Sequence, residues 1–322
     1  MKAMEYLNYG AANVFVLSEK AKPQPKANEV LVKVAASTVT AADIMMREGK
    51  PLIGRLYLGI SRPKRTILGF EFAGEIVGLG SEVSEFKLGD RVFGGTTTLG
   101  CYAEYVCISV DDVIATLPES LSYAEAAPVS GSAITVLNFL AGIAKLQKNQ
   151  KILIIGGSGA LGTYAIQWAK LVGAKVTAVC STANVPLVKA LGADNAIDYT
   201  QEDFTLRGEH YDVIFDTVNK SSFASCKNVL TENGLYLPTV VSGKVLFQML
   251  WTAFFGRKKV KSSSTGLLPV KDRLRYFLEI KGLMATGKLK TVIDRSYPLE
   301  QMTEAHTYVE GGHKKGSVVI TF

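Results

Sequence analysis

The chain has 322 residues, 48% of them hydrophobic and 20% charged, enough to bury a sizeable core in about two domains; this composition excludes a disordered or disulfide-stapled class. The net charge of +7 suits nucleic acid or an anionic cofactor, but much of it sits in short clusters, Arg257 to Lys259 and Arg62 to Arg65, which read as solvated surface, so a nucleic-acid partner is not expected. Cys101, Cys107, Cys180 and Cys226 form no C-x-x-C pair, the start of the chain has no apolar run behind a basic head, and no stretch reaches roughly 18 uninterrupted apolar residues, so a cytoplasmic protein with reduced thiols and no membrane partner is expected.

Up to residue 125, short alternating apolar runs lie between glycine-rich turns, at Glu29 to Val34, Glu71 to Val77, Asp90 to Phe93 and Tyr102 to Val106, a pattern that predicts a largely β domain. From residue 126 the period changes. Helical stretches alternate with almost wholly apolar runs at Lys151 to Ile155, Lys175 to Val179, Val213 to Phe215 and Leu235 to Leu237, which predicts a parallel sheet in an α/β domain. The stretch Val245 to Phe255 is strongly apolar but too short to span a bilayer; it walls a substrate pocket, forms a subunit interface or packs as a buried helix between domains. A helix at Lys271 to Leu283 and strands at Val292 to Asp294 and Ser317 to Thr321 end the chain as it began. The division expected is therefore 1–125, 126–267 and 268–322, with the middle part inserted into a β domain closed by both termini.

The strongest chemical signal lies in the middle part. Gly157-Ser158-Gly159-Ala160-Leu161-Gly162 reads G-x-G-x-x-G, directly after an apolar strand and at the opening of an amphipathic helix, the context in which the motif binds a dinucleotide. Gly157 is expected to allow the tight turn, Gly159 to let the backbone approach a pyrophosphate, and Gly162 to let helix and strand pack closely, with free N–H groups at the helix start facing the anion. After the second strand of this part, Cys180 to Asn184 contains no Asp or Glu of the kind that accepts ribose hydroxyls in NAD binders, which favours NADPH over NADH.

With these features in view, nearly the whole chain resembles the medium-chain dehydrogenase/reductase superfamily, in its zinc-independent quinone oxidoreductase (zeta-crystallin-like) branch. The resemblance is carried by Ala27 to Val34, Ala42 to Gly49, Ile67 to Ile76, Phe86 to Phe93, Lys189 to Asp194 and Ile197 to Tyr199, in that order. It implies a GroES-like β-rich catalytic domain with an inserted Rossmann-type, doubly wound parallel-sheet domain, and a homodimer. It also implies roles. Ser158, Gly159, Ala160 and Leu161 would hold the pyrophosphate; Ser181, Thr182, Asn184 and Tyr199 would surround the adenosine ribose and its 2′-phosphate. Thr135 matches the turn under the nicotinamide, Thr217 and Thr239, Val240 and Val241 would line the crevice, and Lys315, Gly316 and Ser317 would close it.

The family's zinc-dependent members hold their metal with a cysteine three residues before an aspartate and with a Gly-His-Glu triplet. Here Thr40 stands three before Asp43 and Phe70 replaces the histidine before Glu71, so no zinc is expected. Asn184 and Ser317 stand where relatives often carry lysines. Without a metal to polarise a carbonyl, a quinone or α,β-unsaturated carbonyl, which spreads incoming charge over its own π-system, is the small electrophile expected as substrate. A longer enoyl thioester, a lipid aldehyde and a non-catalytic NADPH-bound binding protein are the alternatives. Thr40 and Tyr57 are the candidate catalytic hydroxyl donors, Asp43 reads as a helix cap, and Tyr102 and Tyr105 read as core packing.

Overall fold

The strands of the chain follow the apolar runs. In the computed structural model, which describes the backbone of residues 1–322 and every side chain except that of Ile53, they are β1 (Lys2–Tyr6), β2 (Phe15–Glu19), β3 (Glu29–Val39), β4 (Glu71–Leu79), β5 (Arg91–Gly95), β6 (Tyr105–Ser109) and β7 (Val113–Thr116), then β8 (Lys151–Ile155), β9 (Lys175–Cys180), β10 (Asn195–Asp198), β11 (Tyr211–Asp216), β12 (Leu230–Pro238) and β13 (Lys259–Val260), and finally β14 (Ile293–Pro298) and β15 (Ser317–Thr321). They are divided between two units: residues 1–131, 269–285 and 291–322 form one, and residues 132–268 with 286–290 form the other.

The first unit carries a seven-stranded sheet in the order β14-β15-β3-β4-β5-β7, with β6 paired to β3, and a separate β1-β2 hairpin. The C-terminal strand β15 lies antiparallel to β3, in register from Val318 opposite Val39 to Thr321 opposite Ala36, so strands from the early and the last part of the chain share one sheet. Its cores are built from the inward residues of these strands, among them Val32, Phe72, Ile76 and Val92 in one cluster and Tyr6, Leu68, Tyr102 and Val318 in another. The charged side chain of Arg47 is fully enclosed; it donates to the Gly10 carbonyl at 3.0 Å and pairs with Glu310, which is how a buried cation is tolerated.

The second unit carries a six-stranded, wholly parallel sheet in the order β10-β9-β8-β11-β12-β13. Residues Ile152 to Ile155 of β8 are all buried, as expected for a central strand covered on both faces. The order reverses between β8 and β11, and the crevice at the carboxyl ends of the strands beside such a reversal is where open α/β sheets bind ligands.

Some expectations shift. The strand expected at Tyr102 to Val106 forms at Tyr105–Ser109, because Tyr102 is instead pinned in the core by its hydroxyl, which donates to the Thr38 carbonyl at 3.0 Å. Tyr105 is only half-buried. The first unit extends to Gly131 rather than 125, since Ser130 donates to the Gly94 carbonyl and the Gly131 amide to Glu71, both within that unit. Residues 286–290 belong to the second unit, where Gln167 and Lys290 exchange hydrogen bonds of 2.9 Å in both directions. The helical run Tyr123–Ile143 is long and apolar enough to cross a membrane, but with 67% of its most apolar window buried it has the character of a core helix. The apolar stretch 245–255 is not buried: it forms the helix Gly243–Phe254, with Leu246, Phe247, Leu250, Trp251 and Phe254 exposed.

Candidate functional site

The glycine loop joins β8 to the helix Ala160–Val172. The tight turn is made by Gly156, whose φ of +81° suits glycine alone, rather than by Gly157 as the motif suggests. Gly157 instead lies against β9, where its amide donates to the Val179 carbonyl at 2.9 Å. A Cβ on Gly162 would collide with the Gly156 carbonyl and come within 2.6 Å of Gly157 Cα, so the helix can seat against the loop only without a side chain there. Gly159 is the helix N-cap and no side chain caps this end, which leaves the first amides of the helix available to an anion.

The remaining expected cofactor residues of this unit fall where its strands end. Ser181, Thr182 and Asn184 follow β9, Tyr199 follows β10, Thr217 follows β11, and Thr239, Val240 and Val241 follow β12. Thr135 lies half-buried in the helix Ser132–Leu137. Asn184 is buried and donates to Ser158 at 3.0 Å and Ser181 at 3.2 Å, which ties the glycine loop to the end of the second strand of this sheet; its Oδ1 is enclosed and has no partner. Thr217 donates to the Ile155 carbonyl at 2.8 Å.

The sequence reading missed two carboxylates here. Asp216 is completely buried, accepts from the amides of Val218, Asn219 and Ser221 and from the Tyr236 hydroxyl at 2.9 Å, and thereby fixes the turn after β11. Its signal was an acid closing an otherwise apolar run. Asp198 accepts from Thr182 and Thr200 and is held below the usual carboxylate range, first by the Thr182 hydrogen bond. A carboxylate therefore does stand beside the ribose-recognition residues, one strand over from where the motif places it.

Open backbone amides at the helix start, a loop that only glycine fits and an unpartnered enclosed acceptor together suit a dinucleotide. Ser158 to Leu161 would hold its pyrophosphate, and Ser181, Thr182 and Asn184 its adenosine ribose. Lys315, Gly316 and Ser317 lie in the first unit at the start of β15, where Gly316 has a φ of +80° and the Ser317 amide donates to the Val292 carbonyl at 2.8 Å.

The catalytic candidates belong to the first unit. Thr40 is the N-cap of the helix Ala41–Glu48 in a capping box with Asp43: its hydroxyl donates to Asp43 at 2.7 Å and accepts from the Asp43 amide at 3.4 Å. This corrects the reading of Thr40 as a donor to substrate, since its proton is already held by Asp43. Tyr57, 70% exposed on the short helix Arg55–Leu58, lines a cleft of about 330 Å³ with Leu56, Leu58, Lys64, Arg65 and Leu99. Beside the cap, the buried Glu71 carboxylate accepts from the Thr38 hydroxyl and the Gly131 amide. Burial pushes Glu71 up to about 7, against the pull of those two hydrogen bonds, and pushes Asp43 up to about 6. Burial lowers Lys314 to about 8. Among the described residues, no group of three or more His, Cys, Asp and Glu is placed to hold a metal ion.

The chain matches the family model described as alcohol dehydrogenase GroES-like domain over residues 26–119 and the one described as zinc-binding dehydrogenase over residues 191–320. It is 32% identical over 336 residues to the quinone-oxidoreductase homolog, chloroplastic, of Spinacia oleracea, covering 99% of this chain and 98% of that protein. It is 34% identical to the 2-methylene-furan-3-one reductase of Solanum lycopersicum, covering 99% of this chain and 79% of the relative. Among solved structures, the Escherichia coli quinone oxidoreductase complexed with NADPH superposes with a TM-score of 0.86 at 26% identity, over 100% of both chains.

Two outcomes are expected. Gly162→Ala, which forces the helix away from the loop, weakens NADPH binding by about tenfold or more in calorimetry while thermal unfolding still shows a folded protein; unchanged affinity would mean that the close approach is not needed. For Glu71, a folded-state pKa of about 7 against an ordinary 4.5 means that the folded protein holds the extra proton between those values, so its contribution is fully present below pH 4.5 and is lost as pH rises through 7. Glu71→Gln should therefore gain about 1–3 kcal/mol on the native protein between pH 5 and pH 8 in urea denaturation. A difference that is flat with pH would place the carboxyl at its ordinary value.

Proposed function

The chain belongs to the medium-chain dehydrogenase/reductase superfamily, in its zinc-independent quinone oxidoreductase branch, and on that premise we propose that it reduces a quinone or an α,β-unsaturated carbonyl with a nicotinamide dinucleotide. The observation that carries the reading is the glycine loop with its uncapped helix start beside the point where the strand order reverses between β8 and β11. When bound, the dinucleotide supplies a hydride, and a proton completes the two-electron reduction of the acceptor.

The residues of the chain bind, orient and donate. Ser158 and the helix amides hold the pyrophosphate, and Asn184, fixed by Ser158 and Ser181, offers its free Oδ1 to a ribose hydroxyl. With Thr40 committed to Asp43, Tyr57 is the candidate donor that steadies developing negative charge on the acceptor oxygen, assisted by Lys64 and Arg65 along the same cleft. Phe70 has no ligating atom, and the Thr40 hydroxyl is tied up in the cap, so the two positions that carry metal ligands in zinc-dependent relatives favour a metal-free reaction. A long-chain acceptor has less support, because the apolar stretch 245–255 turns an exposed face outward.

NADPH is the proposed cofactor, supported by the Ser181 and Thr182 hydroxyls after β9 and the lack of an acid there. Asp198 opposes it, because its charge, hydrogen-bonded to Thr182, repels a 2′-phosphate.

The direct test is anaerobic NADPH oxidation with 1,2-naphthoquinone, an enone and a saturated aldehyde, each with and without prior chelation. Turnover of the quinone or enone alone, indifferent to chelator, is expected; loss of activity on chelation would overturn the metal-free reading, and turnover of the aldehyde alone the substrate class. Asp198→Asn is expected to raise kcat/KM for NADPH relative to NADH roughly two- to fivefold, the scale of an exposed charge interaction. An unchanged ratio would remove Asp198 from cofactor choice.

A further inference from the structure

The helix Gly243–Phe254 in the second unit is seated from one side only. Val245 and Met249 pack against the core cluster of β8, β11 and β12, and buried Thr252 donates to the Gln248 carbonyl at 2.7 Å and accepts from the Val260 amide at 3.0 Å. On a soluble helix the opposite face is polar. Here it carries Leu246, Phe247, Leu250, Trp251 and Phe254, of which Phe254 is 80% exposed and Phe247 and Leu250 each 65%. Phe247 and Trp251 stack with ring centroids 6.2 Å apart, and Trp251 meets exposed Phe255 at 4.7 Å, so the aromatic face is already ordered without a covering partner.

The charge along this segment has one sign. From Asn233 to Lys271 the sequence contains no Asp or Glu, while Lys244 precedes the face and Arg257, Lys258, Lys259 and Lys261 follow it. Lys259 donates to the last carbonyls of the helix, at 3.2 Å to Ala253, and exposed Arg257 is paired to Glu232, which lies 25 residues earlier in the chain. A second copy of the same face, brought up about a twofold axis, would set these cations against one another with no acid within the segment to pair them. An anionic surface with an apolar interior satisfies both features at once, since aromatic rings favour the headgroup level and lysines and arginines favour anionic lipid.

We propose that this helix docks on an anionic phospholipid bilayer, lying in the plane of the headgroups with Phe247, Leu250, Trp251 and Phe254 inserted and the Arg257 to Lys261 cluster on the lipid phosphates. At 12 residues the helix is about 18 Å long, too short to span the hydrocarbon but sufficient to lie along its surface. The expectation of no membrane partner, drawn from the lack of a spanning segment, is thereby revised to a surface contact. The proposal stands apart from the reductase reading.

The test is flotation of the full chain with vesicles of phosphatidylcholine alone and of phosphatidylcholine mixed with phosphatidylglycerol. Binding to the anionic vesicles is expected to be roughly tenfold or more tighter and to weaken with added salt. Trp168 is buried, so a blue shift of tryptophan emission on binding reports Trp251, and Trp251→Phe should abolish the shift while keeping the binding. Phe254→Ser with Trp251→Ser should remove binding to both vesicles; Arg257→Gln with Lys258→Gln and Lys261→Gln should remove only the anionic preference. Failure of the native protein to float with either vesicle overturns the proposal. So does light scattering that finds a dimer dispersed by Phe254→Ser, which would make a second copy the cover of this face.

Discussion

The contact between the start of the helix Ala160–Val172 and the turn after β8 is the constraint on which the second unit's site depends. Gly162 sits where a Cβ would strike the Gly156 carbonyl, and Gly156 takes a left-handed turn that only glycine adopts without strain. These two positions bring the uncapped helix amides to the carboxyl ends of a parallel sheet, at the point where its strand order reverses. Asn184 and Asp216 extend the same ordering sideways, one by tying the loop to the end of β9 and the other by closing the turn after β11 on buried hydrogen bonds. The candidate site is therefore a set of strand ends held in register by the protein's own hydrogen bonds, an arrangement that lowers the ordering cost of any binding there.

The first unit solves a different problem, that of enclosing polar groups in a β-rich core. Glu71 and Asp43 are both buried, and each is met by hydroxyl or backbone donors rather than by a full opposite charge; their acidity is weakened as a result. The same satisfaction rule removes Thr40 from the list of free donors, because a hydroxyl that completes a capping box has its proton committed. Tyr57 has no such bond, and its cleft is lined by two cations. Of the two hydroxyls, it is therefore the exposed Tyr57, beside basic groups, rather than the threonine of the cap, that keeps its proton uncommitted within this unit.

Several elements of this arrangement were legible in the chain. The apolar β8 run and the glycine spacing after it placed the strand-to-helix loop, and the shift from alternating to continuous apolar runs separated the β-rich part from the parallel sheet. Short strands such as β10 and β13 gave too few residues for a period to register. The strand at Tyr102 moved by three residues because the hydroxyl of one tyrosine found the Thr38 carbonyl, a partner distant in sequence. Asp198 went unread as a neighbour of Thr182 for the same reason: the two meet only across adjacent strands.

By itself the sequence determined what is local: most of the strand runs, where a helix begins on glycine, and, through the resemblance, that Phe70 and Thr40 stand where zinc-dependent relatives carry metal ligands. Only the tertiary structure decided which glycine makes the turn, that Glu71 is enclosed by Thr38 and Gly131, that Thr40 is occupied by its cap, and that the apolar stretch from residue 245 turns an aromatic face outward. Periodicity records how apolar residues repeat along an element. It does not record which face a neighbouring element will cover or which distant polar group will meet a buried one, since those are fixed by packing between segments far apart in the chain.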